Sequence, residues 1–174
     1  AIGLQGIGVH RFVNEKLPTL RTEQAVVIVN ICGSSVGEYA EIARILSDAD
    51  GVAAIELNIS CPNIKEGGIT FGCSVDGTRQ VVQAVREATT LPIFPKLTPN
   101  VTDIASIAKA AEEAGADAIS LVNTFLAMAI DVETRRPQIS NVVGGLSGPA
   151  IRPIAVRMVY ECHAAIDIPI IGMG

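Results

Sequence analysis

The segment Asn58-Ile59-Ser60-Cys61-Pro62-Asn63 places two amides, a hydroxyl and a thiol within six residues, directly after an apolar run. Each asparagine side chain both donates and accepts, so two of them can hold a planar ring bearing alternating carbonyl and N–H groups. Cys61, with a reference pKa of about 8.5, is close enough to neutrality to serve as a base or a nucleophile. A cysteine is more often a small buried hydrophobe, and that reading is taken for Cys32, Cys73 and Cys162. The position of Cys61 at a strand end, between Ser60 and Pro62, favours chemistry. Lys96 stands in Pro95-Lys96-Leu97-Thr98-Pro99, at the end of an apolar run where a solvated lysine is not expected, so it needs an anionic partner. An electron-rich cofactor that becomes anionic on reduction would supply one; a salt bridge to a carboxylate is the weaker alternative. Gly144-Gly145-Leu146-Ser147-Gly148-Pro149 leads into a helical pattern, so backbone N–H groups of small residues gather at a helix start, which suits phosphate. The turn does not match G-x-G-x-x-G, and the chain itself is not expected to bind NAD in the Rossmann manner.

The elements that must position these groups read as alternating strands and helices. Five apolar, β-branched runs, Ala25 to Ile31, Ala53 to Ile59, Ile93 to Leu97, Ala118 to Val122 and Ile168 to Gly172, look like parallel strands covered on both faces. Four helices are predicted between them. Val36 to Asp48 carries Ala40, Ala43, Ile45 and Leu46 on one stripe behind a Ser35 cap. Thr78 to Thr89 turns Val81, Val82 and Val85 inward, and Asp103 to Ala114 ends at Gly115. Pro149 to Ala165 opens with proline in its first turn. Two segments interrupt the rhythm: a glycine-rich connection from Cys61 to Gly77, and an excursion from Phe125 to Ser147 that reads as a β-hairpin with Arg135-Arg136-Pro137 at its turn.

An open doubly wound sheet gathers its ligand groups at one switch point, whereas a (β/α)8 barrel builds its site from many strand ends. Asn30, Asn58, Lys96 and Asn123 close successive strands, with Gly172 to Gly174 after the fifth, which favours an α/β TIM barrel. Such a barrel needs ~250 residues, so residues 1–174 are expected to be one partial domain of about five βα units.

Composition excludes other classes. With 49% hydrophobic residues and a net charge of −5 the chain is no candidate for disorder, and no apolar stretch reaches the ~20 residues of a membrane span. Apart from Arg135-Arg136 it has no basic cluster, so no nucleic-acid partner is expected. The four cysteines show neither metal-ligand nor disulfide spacing, which fits a reducing cytoplasmic setting, no metal and no membrane.

Together, Ile2-Gly3-Leu4-Gln5, Asn58 to Asn63, Pro95-Lys96-Leu97, Asn123-Thr124, Gly145-Leu146-Ser147-Gly148-Pro149 and Ile171-Gly172-Met173-Gly174 resemble dihydroorotate dehydrogenase, an FMN-containing (β/α)8 enzyme family of pyrimidine synthesis. The resemblance implies that Cys61 is the base removing a proton from C5 of dihydroorotate while hydride leaves C6 for FMN. It implies that Asn58, Asn63, Asn123 and Thr124 hold the pyrimidine, with backbone contacts from Ile2, Gly3 and Leu4. Asn30, Asn58, Lys96, Val122, Gly148, Gly172 and Gly174 would hold the flavin, Gly148 and Gly174 at its phosphate. A cysteine rather than a serine at position 61 is similar to the soluble class. Asn63-Ile64-Lys65-Glu66-Gly67-Gly68 followed by Phe71-Gly72 resembles its NAD-linked branch. There, a homodimer of catalytic chains works with a partner subunit carrying FAD and a 2Fe-2S iron–sulfur cluster. A fumarate-using homodimer, a dihydropyrimidine dehydrogenase domain and a non-catalytic flavin- or phosphate-binding barrel are the alternatives. The family commonly has Asn-Pro where Gly6-Ile7 stands and Gly where Ala127 stands.

Overall fold

The computed structural model describes residues 6–60, 62–63 and 69–174, with residues 62, 63, 69 and 70 described as backbone only. Five strands, β1 (Val27–Ile31), β2 (Val52–Asn58), β5 (Ile93–Lys96), β6 (Ile119–Leu121) and β11 (Ile170–Gly172), form one sheet in the order β1-β2-β5-β6-β11. Every pairing in it is parallel, and strands consecutive in this set lie side by side, as βα units of a barrel do. Each observed strand falls within, or one residue outside, its predicted run.

Successive side chains on a strand alternate between faces. Ile55 and Leu57 of β2, Ile93 of β5, and Ile119 and Leu121 of β6 point to the helices and are fully buried. The opposite, inner face aligns Asn30 with Glu56, Asn58 with Lys96, and Lys96 with Ser120. The inner face is covered unevenly: Ala54, Asn58 and Ser120 are buried there. Among the described residues the helices lie against the outer face, and on the inner face Ile28 remains 49% and Ile171 37% exposed.

Four helices follow the expected pattern: α3 (Val36–Ser47), α4 (Val75–Ala88), α5 (Ile104–Glu113) and α6 (Arg152–His163). Side chains cap three of them: Ser35 accepts from Glu38 N, Ser74 from Gly77 N and Asp103 from Ser106 N. Gly115 follows α5 at φ +99°, a left-handed conformation that glycine adopts without steric penalty. On α4, Val81, Val82 and Val85 are fully buried, each worth roughly 1.5–3 kcal/mol of hydrophobic stabilisation. On α3, Tyr39 takes the buried place that the apolar stripe gives to Ile45, which is only partly covered.

Three differences have local causes. Before β1 the chain is helical over α1 (Val9–Arg11), a π-helical turn (Phe12–Lys16) and α2 (Leu17–Thr22), which apolar spacing does not signal because a π-turn breaks the 3.6-residue period and Pro18 follows in the first turn of α2. Helix α4 starts at Val75 rather than Thr78, since Ser74 caps it, so Gly77 is helical and not a loop glycine. The connection after β2 is correspondingly shorter. Its described residues form an antiparallel pair, β3 (Pro62–Asn63) with β4 (Ile69–Thr70), and a 3-10 turn at Phe71–Cys73. The predicted excursion is a hairpin of two nested pairs, β7 (Phe125–Ala127) with β10 (Gly144–Leu146) and β8 (Ile130–Asp131) with β9 (Arg136–Pro137), but its turn lies at residues 132–135, so Arg136 and Pro137 are strand and not turn residues.

Candidate active site

The carboxyl ends of β2 and β6 are joined by side chains. Asn123 donates from Nδ2 to Asn58 Oδ1 at 2.9 Å, and Asn58 is 9% exposed. Asn58 is fixed from behind as well: the buried Tyr39 hydroxyl donates to its backbone carbonyl at 2.6 Å. Tyr39 in turn meets Phe71 edge-on, with ring centroids 6.2 Å apart. Gly72 N donates to Ile59 O at 2.9 Å, so the segment that leaves β2 returns to its starting point before α4 begins. Asn63 pairs through its backbone with Ile69. Cys61, Ile2, Gly3 and Leu4 lie outside the described residues, and the Asn63 side chain is likewise not described.

Thr124 follows the asparagine pair. Its N–H donates to Asn123 Oδ1 at 2.8 Å, and its side chain packs on Gly145, where an added Cβ would collide with the Thr124 Cβ at 2.7 Å. Asn100, in the loop after β5, braces this turn by donating from Nδ2 to Thr124 O at 3.0 Å and accepting from Leu126 N at 2.9 Å.

A second group occupies the inner face one layer below. Lys96 Nζ lies 3.6 Å from Glu56 Oε2, and Asn30 Nδ2 donates to that same oxygen at 2.5 Å. The lysine thus has a carboxylate partner in this structure, the alternative that the sequence ranked second. Ser120 Oγ, in register with Lys96, is buried and makes no hydrogen bond among the described residues.

The glycines form a third group. Gly148, Gly172 and Gly174 line one groove of about 560 Å³ with Ile151, Arg152 and Met173. Gly148 has φ +89° and introduces the 3-10 turn Pro149–Ile151 that continues into α6, while Gly174 has φ +143°. An added Cβ on Gly174 would strike Ile151 Cδ1 at 2.9 Å. Val122 is buried, donates its N–H to Met173 O at 3.1 Å, and so ties this groove to the asparagine pair one residue away.

Asn30, Asn58, Lys96, Val122, Asn123, Thr124 and the three glycines are therefore collected at one end of the sheet. Glu56 and Asn100 escaped sequence reasoning. Glu56 left a signal, being the single charge inside the apolar run Val52–Asn58; Asn100 reads only as a turn residue after Pro99.

A sequence model of the dihydroorotate dehydrogenase family matches residues 1–174, the whole chain. The chain belongs to the dihydroorotate dehydrogenase family. Curated relatives named "Dihydroorotate dehydrogenase B (NAD(+)), catalytic subunit" include that of Desulforudis audaxviator, 56% identical over 174 residues. Those of Porphyromonas gingivalis and Citrifermentans bemidjiense are 53% and 52% identical over the same span. Each alignment covers 100% of this chain and 57% of the relative, so the chain spans just over half the length of the relatives it matches. For a dihydroorotate dehydrogenase sequence, the five parallel strands with four helices outside are part of the (β/α)8 barrel, four βα units and a fifth strand. Among the described residues no helix is long and apolar enough to cross a membrane.

Proposed function

We propose that the protein containing this chain oxidises (S)-dihydroorotate to orotate in the pyrimidine pathway leading to UMP, using FMN. The observation that carries the reading is the direct Asn123–Asn58 hydrogen bond, which sets two amides side by side at the strand ends of a dihydroorotate dehydrogenase chain. Amides so placed suit a ring whose edge alternates carbonyl and N–H groups. Thr124 and Asn63 extend the same recognition, with backbone contacts from Ile2, Gly3 and Leu4.

The donor set also fits FMN. Lys96 and Asn30 offer a cation and an amide to the ring from the inner face, beside Asn58 and Val122. The glycine groove leaves its backbone open at Gly148, where an added Cβ would meet nothing within 4 Å, and it is lined by the Arg152 side chain. Gly148, Gly172 and Gly174 would therefore cradle the phosphate. When bound, FMN supplies the acceptor for the hydride that leaves C6. Cys61 takes the proton from C5, and the electrons of the C5–H bond become the new C5=C6 double bond. The names of the relatives support an NAD-linked catalytic subunit. In this reading a homodimer of catalytic chains in the cytoplasm passes its electrons to NAD through a partner subunit holding FAD and a 2Fe-2S cluster.

The test is a Cys61→Ala variant of the full-length catalytic chain. It should bind FMN and orotate as the parent does and lose most flavin reduction by dihydroorotate at neutral pH, monitored by stopped-flow absorbance. Unchanged reduction removes Cys61 from its role, and absence of FMN from the parent protein removes the whole reading.

A further inference from the structure

Glu56 places a carboxylate in the middle of a buried strand, where an isolated charge is costly unless it is paired. Its Oε2 is shared by Asn30 of β1, at 2.5 Å, and Lys96 of β5, at 3.6 Å, so one oxygen joins three adjacent strands. The Glu56 and Lys96 side chains are only 14% and 22% exposed. Screening by water is limited there, and the charge balance of the pair is felt by whatever lies against it. Without Glu56, Lys96 presents a full positive charge to the inner face. With it, the same ammonium is half of an ion pair, and both its position and that of the Asn30 amide are set by a common acceptor.

We propose that Glu56 is a positioning residue that orients Asn30 and Lys96 and sets the net charge presented to the bound flavin. The proposal rests on the reading that FMN lies over these strand ends. Glu56 has two separable jobs, one of charge and one of reach. Glu56→Gln keeps the volume and an acceptor for Asn30 but deletes the charge. Glu56→Asp keeps the charge but shortens the arm, so that Asn30 and Lys96 no longer share one oxygen.

The experiment uses the full-length catalytic chain in complex with its partner subunit, with FMN as the probe. Flavin affinity is followed by fluorescence titration and the midpoint potential of bound flavin by spectroelectrochemistry. E56Q is expected to favour the reduced form about tenfold, a positive shift of about 30 mV for a two-electron couple. E56D is expected to keep the parent potential and weaken FMN binding about tenfold, the scale of one lost hydrogen bond to a charged group. A purely structural Glu56 would lower stability in both variants and leave the potential unmoved. E56Q with the parent potential overturns the charge role, and E56D with parent affinity overturns the positioning role. A parent protein that binds no FMN instead overturns the functional reading underneath, an outcome visible before any variant is made.

Discussion

The asparagine pair is braced from behind by Tyr39. The Tyr39 hydroxyl is buried and donates to the backbone carbonyl of Asn58 at 2.6 Å. Tyr39→Phe removes that donor and leaves a buried acceptor without it, which costs about 1–3 kcal/mol. The urea midpoint is expected to fall accordingly, and if the full-length protein acts as proposed, Asn58 then loses its rear support and KM for dihydroorotate should rise more than kcat falls. At this scale the sequence was informative wherever a polar residue closed an apolar run. Asn30, Asn58, Lys96 and Asn123 announce themselves by that contrast, and the structure collects all four. Glu56 carries the same contrast one layer deeper, yet its meaning depends on which neighbours share its register. Asn30 and Lys96 lie 26 and 40 positions away, and only sheet pairing brings them to one oxygen.

At the scale of elements, two helix starts make predictions that run against simple propensity. Gly77 lies inside α4, where alanine is intrinsically preferred by about 1 kcal/mol. An added Cβ would nevertheless meet the Phe71 carbonyl oxygen at 2.6 Å, a backbone atom that cannot swing aside. Gly77→Ala is therefore expected to destabilise the protein by about 1–3 kcal/mol in thermal or chemical unfolding. Asp103 caps α5, and its carboxyl is held below the usual carboxylate range by bonds donated from the Ser106 hydroxyl and then the Ser106 N–H. A depressed folded value means that this contribution is present above the unfolded carboxyl pKa of about 3.9 and is lost as pH falls through the folded one. Asp103→Asn retains a capping oxygen without the titration. Its urea midpoint should fall less steeply than the parent's on acidification below about pH 4. Strands and helix cores were legible from their period, and at α3 the Ser35 cap agreed with it, whereas the Ser74 cap and the first turn of α4 were missed. The helical stretch before β1 was not, since its π-turn shifts the apolar positions out of phase. Neither was the pairing of β3 with β4, because two-residue strands carry no period at all.

For the whole molecule, the cysteines report on global opening. Cys162 is fully buried between α6 and α5, and burial, with Glu161 and Asp103 nearby, pushes its thiol up to about 11. The buried-hydrophobe reading holds for Cys162 but not for Cys32 and Cys73, which are exposed because Cys32 follows the end of β1 and Cys73 ends the 3-10 turn, neither on a helix face turned to the core. At about pH 8, iodoacetamide is expected to modify Cys32 and Cys73 in the folded protein and Cys162 only in denaturant, as peptide mass spectrometry can show. Rapid modification of Cys162 without denaturant would mean that α6 detaches readily from α5. That α6 rests on α5 followed from the alternation of elements, but the number of neighbouring βα units that complete the barrel does not follow from any one unit.

The alternation of the strands carries a consequence for heredity. In β1, β2, β5 and β6 the even-numbered positions Asn30, Glu56, Asn58, Lys96 and Ser120 share the inner face, and the odd-numbered Ile55, Leu57, Ile93, Ile119 and Leu121 share the outer one. Mutations are thereby sorted by parity into two kinds of damage. Odd-position changes are expected to act first on packing against the helices, and even-position changes first on the charge and hydrogen bonding of the inner face, although the buried Asn58 and Ser120 tie that face to stability as well.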